Sequence, residues 1–229
     1  MSLIFPRRCP ICDNAVAPFG ELICTNCINK AHIISGATCY KCGKPLNDDG
    51  EEYCLDCKKH RHKYKTGRAL FEYKSIADSI YRYKYKGRRE YARWYGQCMA
   101  QQFGEWLCAI KPDALVPVPI HKSKFRSRGY NQAELLAREL SFYTGIPTQS
   151  GLVERAKKTK PLKDYTPEER NNILRGAFKL TANDVKLDTI VIIDDIYTTG
   201  STIDEIADIF AKHGVKNIYF LTLAIGKGI

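Results

Sequence analysis

Two groups of residues in this chain of 229 residues have the types and spacing to do chemistry. The first is cysteine. Cys9-Pro10-Ile11-Cys12 is followed after eleven residues by Cys24-Thr25-Asn26-Cys27, and Cys39-Tyr40-Lys41-Cys42 after eleven residues by Cys54-Leu55-Asp56-Cys57, a repeat with a period of 30. A CxxC pair turns both sulfurs toward one point, and two pairs complete a tetrahedron around zinc. The even spacing favours two sequential sets, Cys9, Cys12, Cys24 and Cys27, then Cys39, Cys42, Cys54 and Cys57. Crossed pairing of the same units, or an iron–sulfur cluster, stands as an alternative. Four thiolates leave no open position for water, so the expected metal is two structural zinc ions rather than a catalytic one. His32, His60 and His62 could substitute as ligands, although eight thiolates suffice.

The second group is Ile190-Val191-Ile192-Ile193-Asp194-Asp195-Ile196-Tyr197-Thr198-Thr199-Gly200-Ser201-Thr202. An apolar strand runs into two adjacent carboxylates, then a turn of small hydroxyl residues, then the start of a helix. Ligands of open α/β sheets bind at such carboxyl ends of strands. The N–H groups of Tyr197, Thr198, Thr199, Gly200, Ser201 and Thr202, with the positive end of the following helix, suit a phosphate. Asp194 and Asp195 would accept from vicinal sugar hydroxyls, with Mg²⁺ nearby to neutralise charge. The segment is not a P-loop, because GxxxxGK[ST] is absent.

The elements that must position these groups follow from periodicity. Ala92–Ile110 reads as a helix, with Cys98 and Cys108 as buried core thiols. Ala114–Val118 reads as a short strand, Asn131–Tyr143 as a helix, Thr189–Asp194 as a buried strand, Ser201–His213 as a helix stopped by Gly214, and Ile218–Ala224 as a strand. Strand–helix–strand order without hairpin turns argues a mostly parallel sheet flanked by helices. Residues 1–60 are too short and too weakly patterned to fold without a staple, which the metal supplies. The expected division is a double zinc-ribbon module over 1–62 and an α/β domain over 63–229. Residues 151–178 are polar and basic and carry no clear element.

Charge bears on partners. The formal net charge is +11, which attracts polyanions. Between Lys58 and Arg93 stand 13 Lys and Arg against three acids, interleaved with aromatic residues. Tyr81, Tyr83, Tyr85, Lys86, Arg88 and Arg89 form a candidate face for single-stranded nucleic acid, bases stacking on rings while cations track the backbone. If the stretch is extended, the three tyrosines share one face; on a helix they diverge. Packing between the two domains is the alternative use of these rings, and a solvated lysine-rich surface is the alternative use of the charges. No run of 18 apolar residues is present and no leader is visible, so the expectation is a cytoplasmic protein without membrane insertion.

With these residues in view, the chain resembles the ComF family, which couples an N-terminal double zinc ribbon to a type I phosphoribosyltransferase domain. Beside the acid pair and its loop, the resemblance is carried by Val116-Pro117-Val118-Pro119 leading to Arg128-Gly129-Tyr130-Asn131-Gln132, by Tyr83-Lys84-Tyr85-Lys86-Gly87, and by Asn172-Ile173-Leu174-Arg175-Gly176-Ala177-Phe178. It implies a type I phosphoribosyltransferase-like fold that binds 5-phosphoribosyl 1-diphosphate with Mg²⁺. It assigns Asp194 and Asp195 the catalytic place and the basic residues Lys84, Lys122, Lys124, Arg126 and Arg128 to the diphosphate. The loop 119–129 would handle diphosphate, and a basic loop over roughly 153–170 would close over the site. The resemblance also implies a part in DNA uptake during natural transformation, with single-stranded DNA and uptake helicase or recombination proteins as partners. A metabolic phosphoribosyltransferase with an unidentified acceptor, or a structural zinc adaptor, are the competing readings, and turnover is left open.

Overall fold

The structure, a computed structural model, describes residues 6–48, 50–156, 173–174, 176–181 and 186–226. Two short helices, α1 (Thr25–Ile28) and α2 (Leu55–Lys59), belong to the cysteine-rich region. There follow β1 (Gly67–Glu72), α3 (Tyr73–Tyr85), α4 (Tyr91–Ile110), β2 (Ala114–Pro117), α5 (Lys122–Arg128) and α6 (Gln132–Thr144). Then come β3 (Val153–Arg155), β4 (Phe178–Leu180), β5 (Thr189–Tyr197), α7 (Ser201–Lys212) and β6 (Asn217–Ile225). The main sheet has the order β1-β6-β5-β2 with all three pairings parallel, and β3 and β4 form a separate antiparallel pair.

The two central strands are the ones with continuous apolar runs, because both of their faces are covered. Alternation along β5 divides the core. Val191 and Ile193 join α4 and α6 on one face, while Ile190 and Ile192 join Ile203, Ile206 and Phe210 of α7 on the other. Cys9 and Cys27 belong to the first cluster, beside Trp94 and Tyr95; Cys39, Cys42 and Cys54 belong to the second, beside Tyr64 and Phe220. The two ribbons therefore lie on opposite faces of one sheet. Their connector crosses at the outer edge of β1: Ile33 bridges to Phe71, and Ile34 N–H donates to the Leu70 carbonyl at 2.9 Å. That contact covers backbone groups an edge strand would otherwise expose.

Helix α3 lies where sequence periodicity suggested no element. Ile76, Ser79, Ile80 and Tyr83 are its buried stripe, at positions i, i+3, i+4 and i+7, and the dense charges on its other faces mask the pattern. Of the two cysteines on α4, Cys98 is buried as expected, whereas Cys108 is exposed. It sits one residue past the buried Leu107, off the packed face.

Candidate functional site

Each cysteine set converges. Within Cys9, Cys12, Cys24 and Cys27, and within Cys39, Cys42, Cys54 and Cys57, all Sγ atoms lie within 4.8 Å of one another. Cys12 and Cys24 are 4.0 Å apart, and Cys42 and Cys54 3.7 Å. A tetrahedron with Zn–S bonds of about 2.3 Å requires sulfurs about 3.8 Å apart. The donor sets fit structural zinc, and the pairing is sequential, not crossed.

Strand β5 carries its acids inside the strand, not beyond it, since pairing with β6 continues through Tyr197. Asp194 Oδ1 accepts the Asp195 N–H at 2.8 Å, and Lys84 donates to Asp195 Oδ1 at 2.7 Å. Burial, and then the Asp195 charge, push the Asp194 carboxyl up to about 7. The next residues form a small cleft lined by Asp194, Ile196, Tyr197, Thr198, Thr199, Gly200, Ser201, Thr202 and Ile203. Gly200 caps α7 with φ +82°, and a Cβ there would sit 2.6 Å from the Tyr197 hydroxyl. Glycine is thus required twice, for the left-handed backbone and for the close approach. Behind it the first N–H groups of a twelve-residue helix lack intrahelical partners and face the cleft's mouth with the positive dipole end.

Beside the acid pair stands a basic wall. Lys124 is partly buried, and its pKa is lowered first by burial and then by the charges of Arg155, Arg128 and Lys84. Asp194 in turn feels Lys84 and Arg155. The expected diphosphate loop contains a two-turn helix, α5, whose N-cap His121 accepts from the Ser123 N–H. Arg128 is held by Gln132 Oε1 at 2.9 Å and stacks 4.9 Å over the Tyr85 ring. Lys122 and Arg126 are exposed on the same helix. Asn131 caps α6 by accepting from Ala133 N–H and donates to the Val118 carbonyl at 3.0 Å, which ties α6 to the end of β2. The signal for Gln132 lay in the Arg-Gly-Tyr-Asn-Gln run; Arg155 had none beyond its place in the basic segment. Most of the expected closing loop, from residue 157 onward, and Asn172 and Arg175 lie outside the described residues.

The tyrosine face expected for nucleic acid does not exist as drawn. The stretch is helical, so Tyr83 turns inward, fully buried, and donates to the Gln132 carbonyl at 2.9 Å. Trp94 is buried as well, against Phe71. Arg88 is bound to Asp13 of the first ribbon at 2.7 Å, and Tyr91 donates to the same carboxylate, so Arg88 holds the ribbon rather than a polyanion. Tyr81 and Tyr85 remain exposed, with ring centroids 5.3 Å apart, and Lys86 and Arg89 are exposed beside them. Tyr83 and Trp94 pack within the α/β domain, against Tyr95, Tyr130 and Phe71, while Tyr91 reaches across to Asp13 of the first ribbon.

The Phosphoribosyl transferase domain family matches residues 97–228, the segment that holds the acid pair, the glycine-capped helix and Lys124, Arg128 and Arg155 of the basic wall. The chain belongs to this family. The Double zinc ribbon domain family matches residues 1–58, which gives the chain the ComF-family order of parts, ribbons before phosphoribosyl transferase domain. Competence protein F of Haemophilus influenzae is 28% identical over 98% of this chain and 99% of its own length. Competence protein ComFC of Bacillus subtilis is 28% identical over 80% of this chain and 75% of its own. The DNA utilization protein YhgH of Salmonella typhi is 26% identical over 94% and 96%. Among the described residues, no helix of this phosphoribosyl transferase-domain protein is long and apolar enough to cross a membrane.

Proposed function

We propose that the chain binds 5-phosphoribosyl 1-diphosphate with Mg²⁺ and acts in DNA uptake, handling single-stranded DNA. The observation that carries the donor reading is the junction of β5 and α7: adjacent carboxylates, then a hydroxyl turn closed by a left-handed glycine at a helix N-terminus. The 5-phosphate would lie against Thr198, Thr199, Ser201 and Thr202. Its charge meets backbone N–H groups and the helix dipole, which need no reorganisation. The ribose hydroxyls would donate to Asp194 and Asp195. A cation bound with the sugar diphosphate would neutralise charge beside these acids. The diphosphate would face Lys124, Arg128 and Arg155, with Lys84 released from Asp195 to join them. Such a wall would also stabilise the charge that a departing diphosphate takes from C1, which supports transfer to an acceptor as well as binding.

The DNA part rests on the names of the relatives, competence and DNA utilization proteins matched along most of their length. It rests also on exposed cations beside exposed rings: Lys86, Arg89, Tyr81 and Tyr85 flank the mouth of the basic wall through the Arg128–Tyr85 contact. Isothermal titration with the sugar diphosphate and Mg²⁺, then with a short oligonucleotide, tests both parts. Absence of saturable binding by the sugar diphosphate would end the donor reading.

A further inference from the structure

We propose that the second zinc ribbon positions the phosphate loop, through a strap of three residues, His62-Lys63-Tyr64, that leaves α2 just beyond Cys57. The ligand's identity rests on the donor reading above; the mechanical coupling does not.

The strap grips the loop at three points. Both oxygens of Asp204, in the first turn of α7, are taken by the strap: Oδ2 lies 2.7 Å from His62 Nδ1, and Oδ1 accepts the Lys63 N–H at 2.8 Å. An ionised carboxylate only accepts, so Nδ1 carries the hydrogen. The Tyr64 and Tyr197 hydroxyls are 2.7 Å apart, and Tyr197 is the residue by which β5 enters the loop. The Tyr197 ring lies flat on Phe220 and Tyr64 meets the same ring edge-on, so the pair is locked to the sheet. Gly200 rests on both grips: a Cβ there would be 2.6 Å from the Tyr197 hydroxyl and 3.1 Å from His62 Cε1.

The other end of the strap is fixed by the ribbon. Lys41, between ligands Cys39 and Cys42, donates to the Tyr64 carbonyl at 2.5 Å and sits over the Tyr64 ring. Its own carbonyl accepts the Gly67 N–H. The His62 ring stacks on Tyr64, and its side chain is 2% exposed. Zinc ligands, strap and loop are consecutive links in one packed path.

The need for such a strap is electrostatic. Asp204 stands four residues after the loop glycine, at the helix end that must receive an anion. Left alone it would compete for the free N–H groups and repel a phosphate. Occupied by His62 and Lys63, it leaves that helix end to the ligand. The first ribbon makes a different set of contacts. Arg82 of α3 donates to its Pro10 and Ile11 carbonyls, and Asp13 is held by Tyr91 of α4 and by Arg88 in the turn between the two helices. It supplies an internal control.

The test uses zinc-loaded full-length protein. Hydrogen exchange of amides 198–203 is measured with titrations of ribose 5-phosphate and of inorganic pyrophosphate. His62→Ala, with two zinc ions retained, is expected to speed exchange at 198–203 and to weaken ribose 5-phosphate about tenfold, the loss of one charge-assisted hydrogen bond, while pyrophosphate affinity stays unchanged. Tyr64→Phe, which keeps the ring packing, should loosen the same amides. His62→Asn, whose amide can donate from the Nδ1 place, should restore both readouts, and Asp13→Asn should change neither. Unaltered exchange at 198–203 in both His62→Ala and Tyr64→Phe would overturn the coupling, as would equal loosening by Asp13→Asn. If the wild type binds no ribose 5-phosphate, the donor reading falls, and the exchange comparison still decides the strap.

Discussion

Gly200→Ala separates two costs that the loop glycine avoids. At φ +82° an alanine pays for a left-handed backbone, about 1–2 kcal/mol. Its Cβ would also lie 2.6 Å from the Tyr197 hydroxyl and 3.1 Å from His62 Cε1, and neither neighbour is free to retreat, because Tyr197 is stacked on Phe220 and His62 on Tyr64. Forcing such a contact costs about 1–3 kcal/mol. The sum is about 2–5 kcal/mol. Gly214→Ala is the matched control, with φ +91° and nothing within 4 Å of the added carbon, so only the backbone cost of about 1–2 kcal/mol applies. For a chain of this size 1 kcal/mol moves Tm by about 2–4 °C. Thermal melts should therefore fall clearly further for Gly200→Ala than for Gly214→Ala, and ribose 5-phosphate binding should weaken only in the former. Equal melting shifts with equal ligand affinity would refute the packing argument at Gly200.

Other expectations follow from the same contacts. Protein purified without added metal should carry two zinc ions by elemental analysis, and Cys42→Ser, within the packed core, should cost more stability in a urea melt than Cys12→Ser at the exposed corner of the first set. Tyr83→Ala should lose about 3–5 kcal/mol of stability in the same assay, as a buried aromatic does. Tyr85→Ala should stay within about 0.5 kcal/mol and instead weaken single-stranded DNA binding by about 1–3 kcal/mol in fluorescence anisotropy. Because burial and Asp195 raise the Asp194 carboxyl to about 7, the folded ligand-free protein holds that proton more tightly than the unfolded chain. Its stability should decline as pH rises from the ordinary carboxylate range through about 7, and Asp194→Asn should flatten that decline and stabilise the ligand-free protein at the alkaline end.

The cysteine sets and the β5–α7 junction were legible because their chemistry is local. A CxxC pair or an acid-ended apolar strand is written within a dozen consecutive residues, and the partner positions need no knowledge of the fold. Helix α3 was not legible, since its apolar stripe of Ile76, Ile80 and Tyr83 is carried partly by a tyrosine and crowded by Arg82, Lys84 and Lys86. The period-two tyrosines invited an extended reading that the helix overrules. Arg155 was unreadable for a different reason: it gains meaning only when β3 brings it near Asp194. The strap was equally hidden. His62 and Asp204 are 142 residues apart, and nothing in either neighbourhood announces the other.

The central claim is that the junction of β5 and α7 receives a sugar diphosphate. Isothermal titration of 5-phosphoribosyl 1-diphosphate with Mg²⁺ into wild type and into Asp194→Asn/Asp195→Asn tests it most directly. The account predicts one saturable site per chain in the wild type and none in the double variant, whose melting curve shows it folded. Equal affinity in the two proteins, or no binding to either, would contradict it.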